Sequence, residues 1–424
     1  MEKHWNSREI LLSVPLDYQQ PNRASIEIFA QEVWLSGMEN APICVFLQGG
    51  PGFESPKDLS SVAWLPPLLK QFRVLLLDQR GTGRSTPIGP ELTHALPNVQ
   101  EQLEYIIHFR ADNIVRDLEQ IRTRLYLAKT WYLLGQSFGG FISCHYLSYY
   151  PEALAGVFIC GGLPPLMLSD AKQVYQALTP MLKKRSKEYF ERYPEDKIKV
   201  KKILALLEAS PYPLPDSGTF TTERFRDTGI ILGTTNGFQR MHALLSQAFT
   251  DSSEQQLRWA FIESFKQQTD YETNPLYFLL HEAIYCQLNA SHWAAYQTVI
   301  EDPEYGQSQE CPMFWGETVR PDMVKEYAQL KGFAQLADKL ANYTAWPTLY
   351  NTQQLATNPV PVQCIVYEQD YYVDFQQSLN TAAAIKNCSV WVHPNWQHDA
   401  IRAHGDQLIP ELLERFFTFT NSLK

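Results

Sequence analysis

The chain opens with two segments in which apolar and polar residues alternate, SREILLSVPLDY and ASIEIFAQEVWL. A period of two turns one face of a strand inward and the other to water, so each reads as a half-buried β-strand. The turn-rich QQPNRA between them predicts an antiparallel hairpin. The pattern then changes to short, nearly unbroken apolar runs: PICVFLQ, FRVLLLD, TWYLLGQ and AGVFICGG. Runs without alternation mark strands covered on both faces. Segments of helical period stand between them. In DNIVRDLEQIRTRLYL the positions Ile114, Leu118, Ile121 and Leu125 share one face, and Asp112 is the expected N-cap. Such strand–helix alternation predicts a mostly parallel sheet with helices on both faces.

From residue 164 to residue 358 amphipathic helical stretches rich in Tyr, Phe and Trp take over, with loops such as ASPYPLPDSGTF and TTNGF. The strand pattern returns in VPVQCIVY and SVWVHP, and DQLIPELLERFFTFT predicts a closing helix. The expected organisation is an α/β core over residues 1–163 and 359–424, interrupted by a mainly helical cap over 164–358.

Composition narrows the function classes. A chain of 424 residues that is 45% hydrophobic and 19% charged can bury a large core and is not a disordered chain. Its net charge of −10 disfavours nucleic acid and anionic membranes, which bind through lysine and arginine. No apolar stretch approaches the ~20 residues needed to span a bilayer. The opening MEKHWNSREI lacks the apolar centre of a secretory signal. Seven dispersed cysteines without a CxxC pair suit a reducing compartment. A cytosolic location is expected, with neither nucleic acid nor membrane as a partner.

The candidate chemistry begins at Gly135-Gln136-Ser137-Phe138-Gly139, which fits G-x-S-x-G between a predicted strand and a predicted helix. In that setting the serine sits on a sharp strand-to-helix turn as a nucleophile; outside it, the same letters are a loop serine among glycines. An oxyanion needs two backbone N–H groups. One is expected from Phe138, and the other from Gly50 in the glycine-rich FLQGGPGFESP after an early strand. With chain order Ser…Asp…His, the base is His398, a short loop beyond the last strand, with His393 and His404 as its competitors. The carboxylate is Asp370, just past the preceding strand, with Glu368 and Asp374 as alternatives, the latter suiting a helix cap. Asp78 and Arg80 in LLLDQRGTGRSTP are expected to pair with neighbouring loops and support the oxyanion segment. Histidines and cysteines nowhere show metal-ligand spacing, and no GxGxxG follows the first strand, so neither metal nor dinucleotide is expected.

Taken together, GGPG at 49–52, DQRGTGRS at 78–85, FRADNIVRDLEQIR at 109–122, GQSFGG at 135–140, DYYVD at 370–374 and QHD at 397–399 resemble the proline iminopeptidase (prolyl aminopeptidase) family of α/β-hydrolases. The resemblance spans nearly the whole chain and is closest to longer members with a large cap. One departure is Gln48, where the family often has His before GGPG. The resemblance implies an α/β-hydrolase fold, a serine exopeptidase that needs no cofactor, and short peptides with a free N-terminus as substrates, proline first among the residues released. It also implies acidic cap residues that hold the substrate's free ammonium group, for which Glu282 in LLHEAIYC and Glu317 in MFWGETVRP are the candidates. The competing readings are an esterase or amidase of the same fold acting on small apolar substrates, and a non-catalytic binding protein that keeps the fold.

Overall fold

A computed structural model describes residues 5–251, 254–269, 271–306 and 311–423. Strands β1 (Asn6–Pro15) and β2 (Ser25–Trp34) form the expected hairpin, in register from Asn6 opposite Trp34 to Pro15 opposite Ser25. On β1 the residues Ile10, Leu12 and Val14 are buried while Leu11 and Ser13 between them are exposed, the period of two read from the sequence. β3 (Ile43–Leu47), β4 (Arg73–Asp78), β5 (Trp131–Gln136) and β6 (Leu154–Cys160) follow. The two-residue strands β7 (Tyr212–Pro213) and β8 (Thr219–Phe220) pair with each other, and β9 (Val362–Tyr367) and β10 (Cys388–His393) come last.

The eight longer strands make one sheet in the order β1-β2-β4-β3-β5-β6-β9-β10. β2 is antiparallel to both of its neighbours, and every pairing from β4 to β10 is parallel. Alternate residues of the central strands enter different cores. Val45, Leu75, Leu77 and Leu133 pack on one face, where the helices Ala111–Leu125 and Phe138–Tyr149 contribute Ile114, Leu118 and Ile142. Phe46, Leu76 and Leu134 pack on the other, against Leu68 of the helix Leu65–Leu69 and Leu408 and Leu412 of the helix Gly405–Ser422. Two apolar faces on one strand leave no polar positions, which explains the unbroken runs.

The helix Ala111–Leu125 corrects one expectation. Asp112 is not its cap; Arg110 occupies that position, and Asp112 lies in the first turn, where a carboxylate still complements the helix dipole. The reason is long-range. The buried Arg110 guanidinium donates to the carbonyl oxygens of Ala283, Cys286 and Pro347 at 2.8, 2.7 and 2.9 Å, which holds the chain extended just before the helix.

The segment between β6 and β9 packs in two ways. Residues such as Phe190, Ile203, Phe225, Phe261 and Trp315 form a core of their own, joined by Tyr371 and Tyr372 from the loop after β9. Leu276, Phe278, Leu336 and Trp346 instead join the core on the sheet. No helix among the described residues is long and apolar enough to cross a membrane.

Register now places the chemistry. Leu47 pairs with Gly135, Gly135 with Ile159, Ile159 with Cys364, and Cys364 with Val390. One row of paired residues thus crosses five parallel strands, which point their carboxyl ends the same way. The loops that leave these ends, carrying Gly50, Ser137, Asp370 and His398, emerge along the same edge, where open parallel sheets place ligands.

Candidate active site

The turn from β5 to the helix Phe138–Tyr149 is made in a single residue. Ser137 has φ +55° and ψ −124°, a left-handed conformation that costs a non-glycine residue about 1–3 kcal/mol. The turn is pinned on both sides: Ser137 N–H donates to Cys160 O at 3.0 Å, and Gly140 N–H donates to Ser137 O at 2.7 Å. Helix and strand approach so closely that a Cβ on Gly139 would collide with Leu47 O, and one on Gly135 with the backbone of Gly139. Phe138 opens the helix, so its N–H has no partner within the helix and lies beside Ser137.

The segment Gln48–Gly52 follows β3, the neighbour of β5. Gly50 has φ +136°, and the Gly50–Pro51 bond is cis. A Cβ on Gly49 would stand 2.9 Å from Ser137 Cβ, so this loop lies directly against the Ser137 turn. Gln79 Nε2 donates to Gln48 O at 2.8 Å. The Asp78 carboxylate accepts from Ser55 N–H at 3.1 Å and Arg84 N–H at 2.8 Å. Arg80, buried, donates to both oxygens of buried Asp117, at 2.7 and 2.5 Å, and to the carbonyls of Leu16 and His108. The DQRG stretch therefore braces the loop from behind, as its sequence suggested.

His398 and Asp370 meet. His398 Nδ1 lies 2.8 Å from Asp370 Oδ2 and 3.0 Å from Oδ1, and Asp370 Oδ1 also accepts the N–H groups of Tyr372 and Val373 at 2.9 and 3.0 Å. Burial works against a charged imidazole, but the Asp370 charge and hydrogen bond, helped by the Glu317 charge, outweigh it and raise the His398 pKa above its ordinary value. The competitors lie elsewhere. His393 stacks on Trp396, with centroids 3.9 Å apart, and its Nδ1 accepts the N–H of Trp396. His404 stacks on the same indole at 5.0 Å. Asp374 caps the helix Phe375–Ala384 by accepting Gln377 N–H at 2.8 Å.

A cavity of about 570 Å³ opens over this edge, within the range that small-molecule sites occupy. Ser137, Gly50, His398 and Glu317 all line it. Glu317 accepts a hydrogen bond from the hydroxyl of buried Tyr277, and His281 Nε2 stands 3.9 Å from its other oxygen. Glu282, expected to share the ammonium-binding task, does not reach this cavity. It borders a separate small space, where its carboxylate accepts Ala295 N–H at 2.8 Å, in the first turn of the helix Ala294–Glu301. Full burial pushes its pKa up to about 7 although Ser291 and the N–H groups of Ala294 and Ala295 oppose the shift. Its side chain serves the fold because the helix dipole and unpaired N–H groups at 294–295 claim it.

Residues 42–206 match the family model for the alpha/beta hydrolase fold. A proline iminopeptidase of Aeromonas sobria is 38% identical over 405 residues, 95% of this chain and 94% of its own. The chain belongs to the proline iminopeptidase family. A proline iminopeptidase named aneH from Aspergillus aculeatus is 34% identical, covering 94% of this chain and 91% of its own. A crystal structure of a Mycobacterium smegmatis proline iminopeptidase covers 98% of this chain at 15% identity with a TM-score of 0.45. The matches to the Aeromonas and Aspergillus proline iminopeptidases thus take in the helical segment between β6 and β9 together with the sheet.

Beyond the residues read from sequence, two contacts complete the site of this proline iminopeptidase relative. Tyr372 packs on the His398 ring at 4.8 Å. Asp399 Oδ1 accepts from Thr235 N–H and Oγ at 2.9 and 2.7 Å, tying the loop next to His398 to the TTNGF loop 164 residues away. Tyr372 sits in the DYYVD motif, but only folding shows which aromatic meets the imidazole. The placement of Glu282 has a stability consequence. Glu282→Ala strands the Ala295 N–H and the Ser291 hydroxyl, and is expected to lower unfolding free energy by about 1–3 kcal/mol. A denaturant midpoint equal to the parent's would contradict that structural role.

Proposed function

We propose that the chain is a serine exopeptidase that releases an N-terminal residue, preferentially proline, from short peptides through an acyl-enzyme. The reading rests on family membership, and the observation that carries it is the convergence of Ser137, the His398–Asp370 pair and Glu317 on one cavity. Glu317 holds the free ammonium or iminium group of the substrate. In a partly desolvated site such an anchor favours terminal residues and disfavours internal peptide bonds, which offer no cation. Ser137 Oγ attacks the first carbonyl carbon, and His398 Nε2 takes its proton while Asp370 fixes Nδ1–H. The N–H groups of Gly50 and Phe138 receive the developing oxyanion. His398 then gives the proton to the departing amine, and water, activated by the same imidazole, hydrolyses the ester.

The nucleophile assignment is tested with a proline arylamide. Ser137→Ala is expected to lower kcat by about 10⁵–10⁶-fold without changing the circular dichroism spectrum. Retained turnover sinks the assignment.

The raised pKa of His398 sets the acid limb of activity. The base must be neutral, so kcat/KM rises as pH passes through a value above 6.5, the ordinary histidine value. Asp370→Asn removes the influence that raises it, so in the residual activity the limb should move to lower pH. A limb that stays in place contradicts the pairing.

Glu317→Gln keeps the shape and removes the charge. KM for free-amine arylamides is expected to rise about tenfold to a hundredfold, the weight of a lost charge-assisted hydrogen bond. If the parent cleaves N-blocked substrates equally well, the anchor idea fails.

A further inference from the structure

The cavity over Ser137 carries more charge than the proposed reaction uses. Besides Glu317, it is lined by Lys57, Arg240 and Arg402. These three cations are not equivalent. Lys57 is neutralised by Glu54 at 2.6 Å. Arg240 donates to the amide oxygen of Gln268 at 3.1 Å. Arg402 makes no ion pair or side-chain hydrogen bond among the described residues. The nearest carboxylate in sequence, Asp399, is already engaged by Thr235.

Arg402 also stands in a telling place. It lies on the short helix Ala400–Ala403, four residues after His398, and its charge is felt at that imidazole, where it opposes protonation. It borders both the main cavity and an adjoining one of about 340 Å³. Gln48, Glu54, Pro56 and Gln136 line both spaces, so Arg402 is at their junction. The imidazole that protonates the departing amine defines the side on which the released peptide lies. Each further residue of that peptide adds at most about 3.6 Å of reach. Arg402, four residues past His398 and lining the same cavity, is placed to face a free carboxylate one residue beyond the scissile bond. A guanidinium without a partner is suited to a two-pronged grip on that carboxylate.

We propose that Arg402 is a specificity residue that binds the C-terminal carboxylate of the released amino acid or peptide, so that dipeptides with a free carboxylate are preferred substrates. The inference rests on the exopeptidase reading above. Two anchors of opposite sign, Glu317 for the ammonium group and Arg402 for the carboxylate, then measure the length of the substrate between them.

The test compares kcat/KM for Pro-Gly and Pro-Gly amide, with a proline arylamide alongside. The parent is expected to favour the free acid by about tenfold or more. In Arg402→Gln the acid-to-amide ratio should fall towards one, while Arg240→Gln keeps most of the preference. The ratio is unaffected by general damage to folding or chemistry, so a merely structural role for Arg402 leaves it unchanged and overturns the proposal. A parent with no preference, or a preference lost only with Arg240→Gln, overturns it too. Arylamide turnover without acid preference sinks the carboxylate assignment alone. Absence of arylamide turnover in the parent sinks the exopeptidase reading and this proposal with it.

Discussion

The close approach of one strand and one helix at Ser137 is the constraint on which the site depends. Leaving β5 and entering the helix in a single residue forces φ +55° on a serine. That conformation survives because Cys160 O and Gly140 N–H clamp the turn and because Gly135 and Gly139 present no Cβ where strand meets helix. The result is a side chain raised at the carboxyl edge of the sheet, beside the first N–H of a helix. A wider turn would need less strain, but it would lower the hydroxyl and separate it from the Gln48–Gly52 loop that now presses against it.

Sheet register then does for the other groups what the turn does for Ser137. Because five parallel strands point their carboxyl ends the same way, the loops after β3, β5, β9 and β10 leave from one edge of the sheet. Buried contacts stiffen each loop from behind: Gln79 under Gln48, the N–H groups of Tyr372 and Val373 on Asp370, and Thr235 on Asp399. The segment between β6 and β9 brings the Glu317 carboxylate to the cavity. Glu317 sits in an aromatic setting with Tyr277, so its charge acts through little water and reaches His398. In the proposed reading, one carboxylate thus both holds the terminal ammonium group and tunes the base.

Much of this was legible in the chain. Alternation in SREILLSVPLDY became β1, and the unbroken runs became β3 to β6, because burial on one face or two leaves a direct imprint on residue type. Ser137 and His398, which line one cavity, and Asp370, which meets His398, each follow a strand recognisable in the sequence. Glu282 misled for an equally physical reason. Its distance along the chain from Ser137 says nothing about which way a short helix turns its carboxylate, and that direction is set by the N–H groups at 294–295. Asp112 was read as a cap from local pattern, while the real boundary is held by Arg110 reaching carbonyls more than 170 residues away. Arg402 stays solvent-exposed in the folded chain, and only the assembled loops show that it borders the cavity. What stayed hidden depends on contacts between distant segments, which neither period nor spacing encodes.

The most direct test of the central claim is a crystal structure of the protein treated with the boronic acid analogue of proline, which forms a tetrahedral adduct on an activated serine. The account predicts boron bonded to Ser137 Oγ, one boronate oxygen within hydrogen-bond distance of the N–H groups of Gly50 and Phe138, His398 beside another, and the ring nitrogen on Glu317. A proline ring bound with its nitrogen turned away from Glu317, or boron bonded to any other side chain, would contradict it.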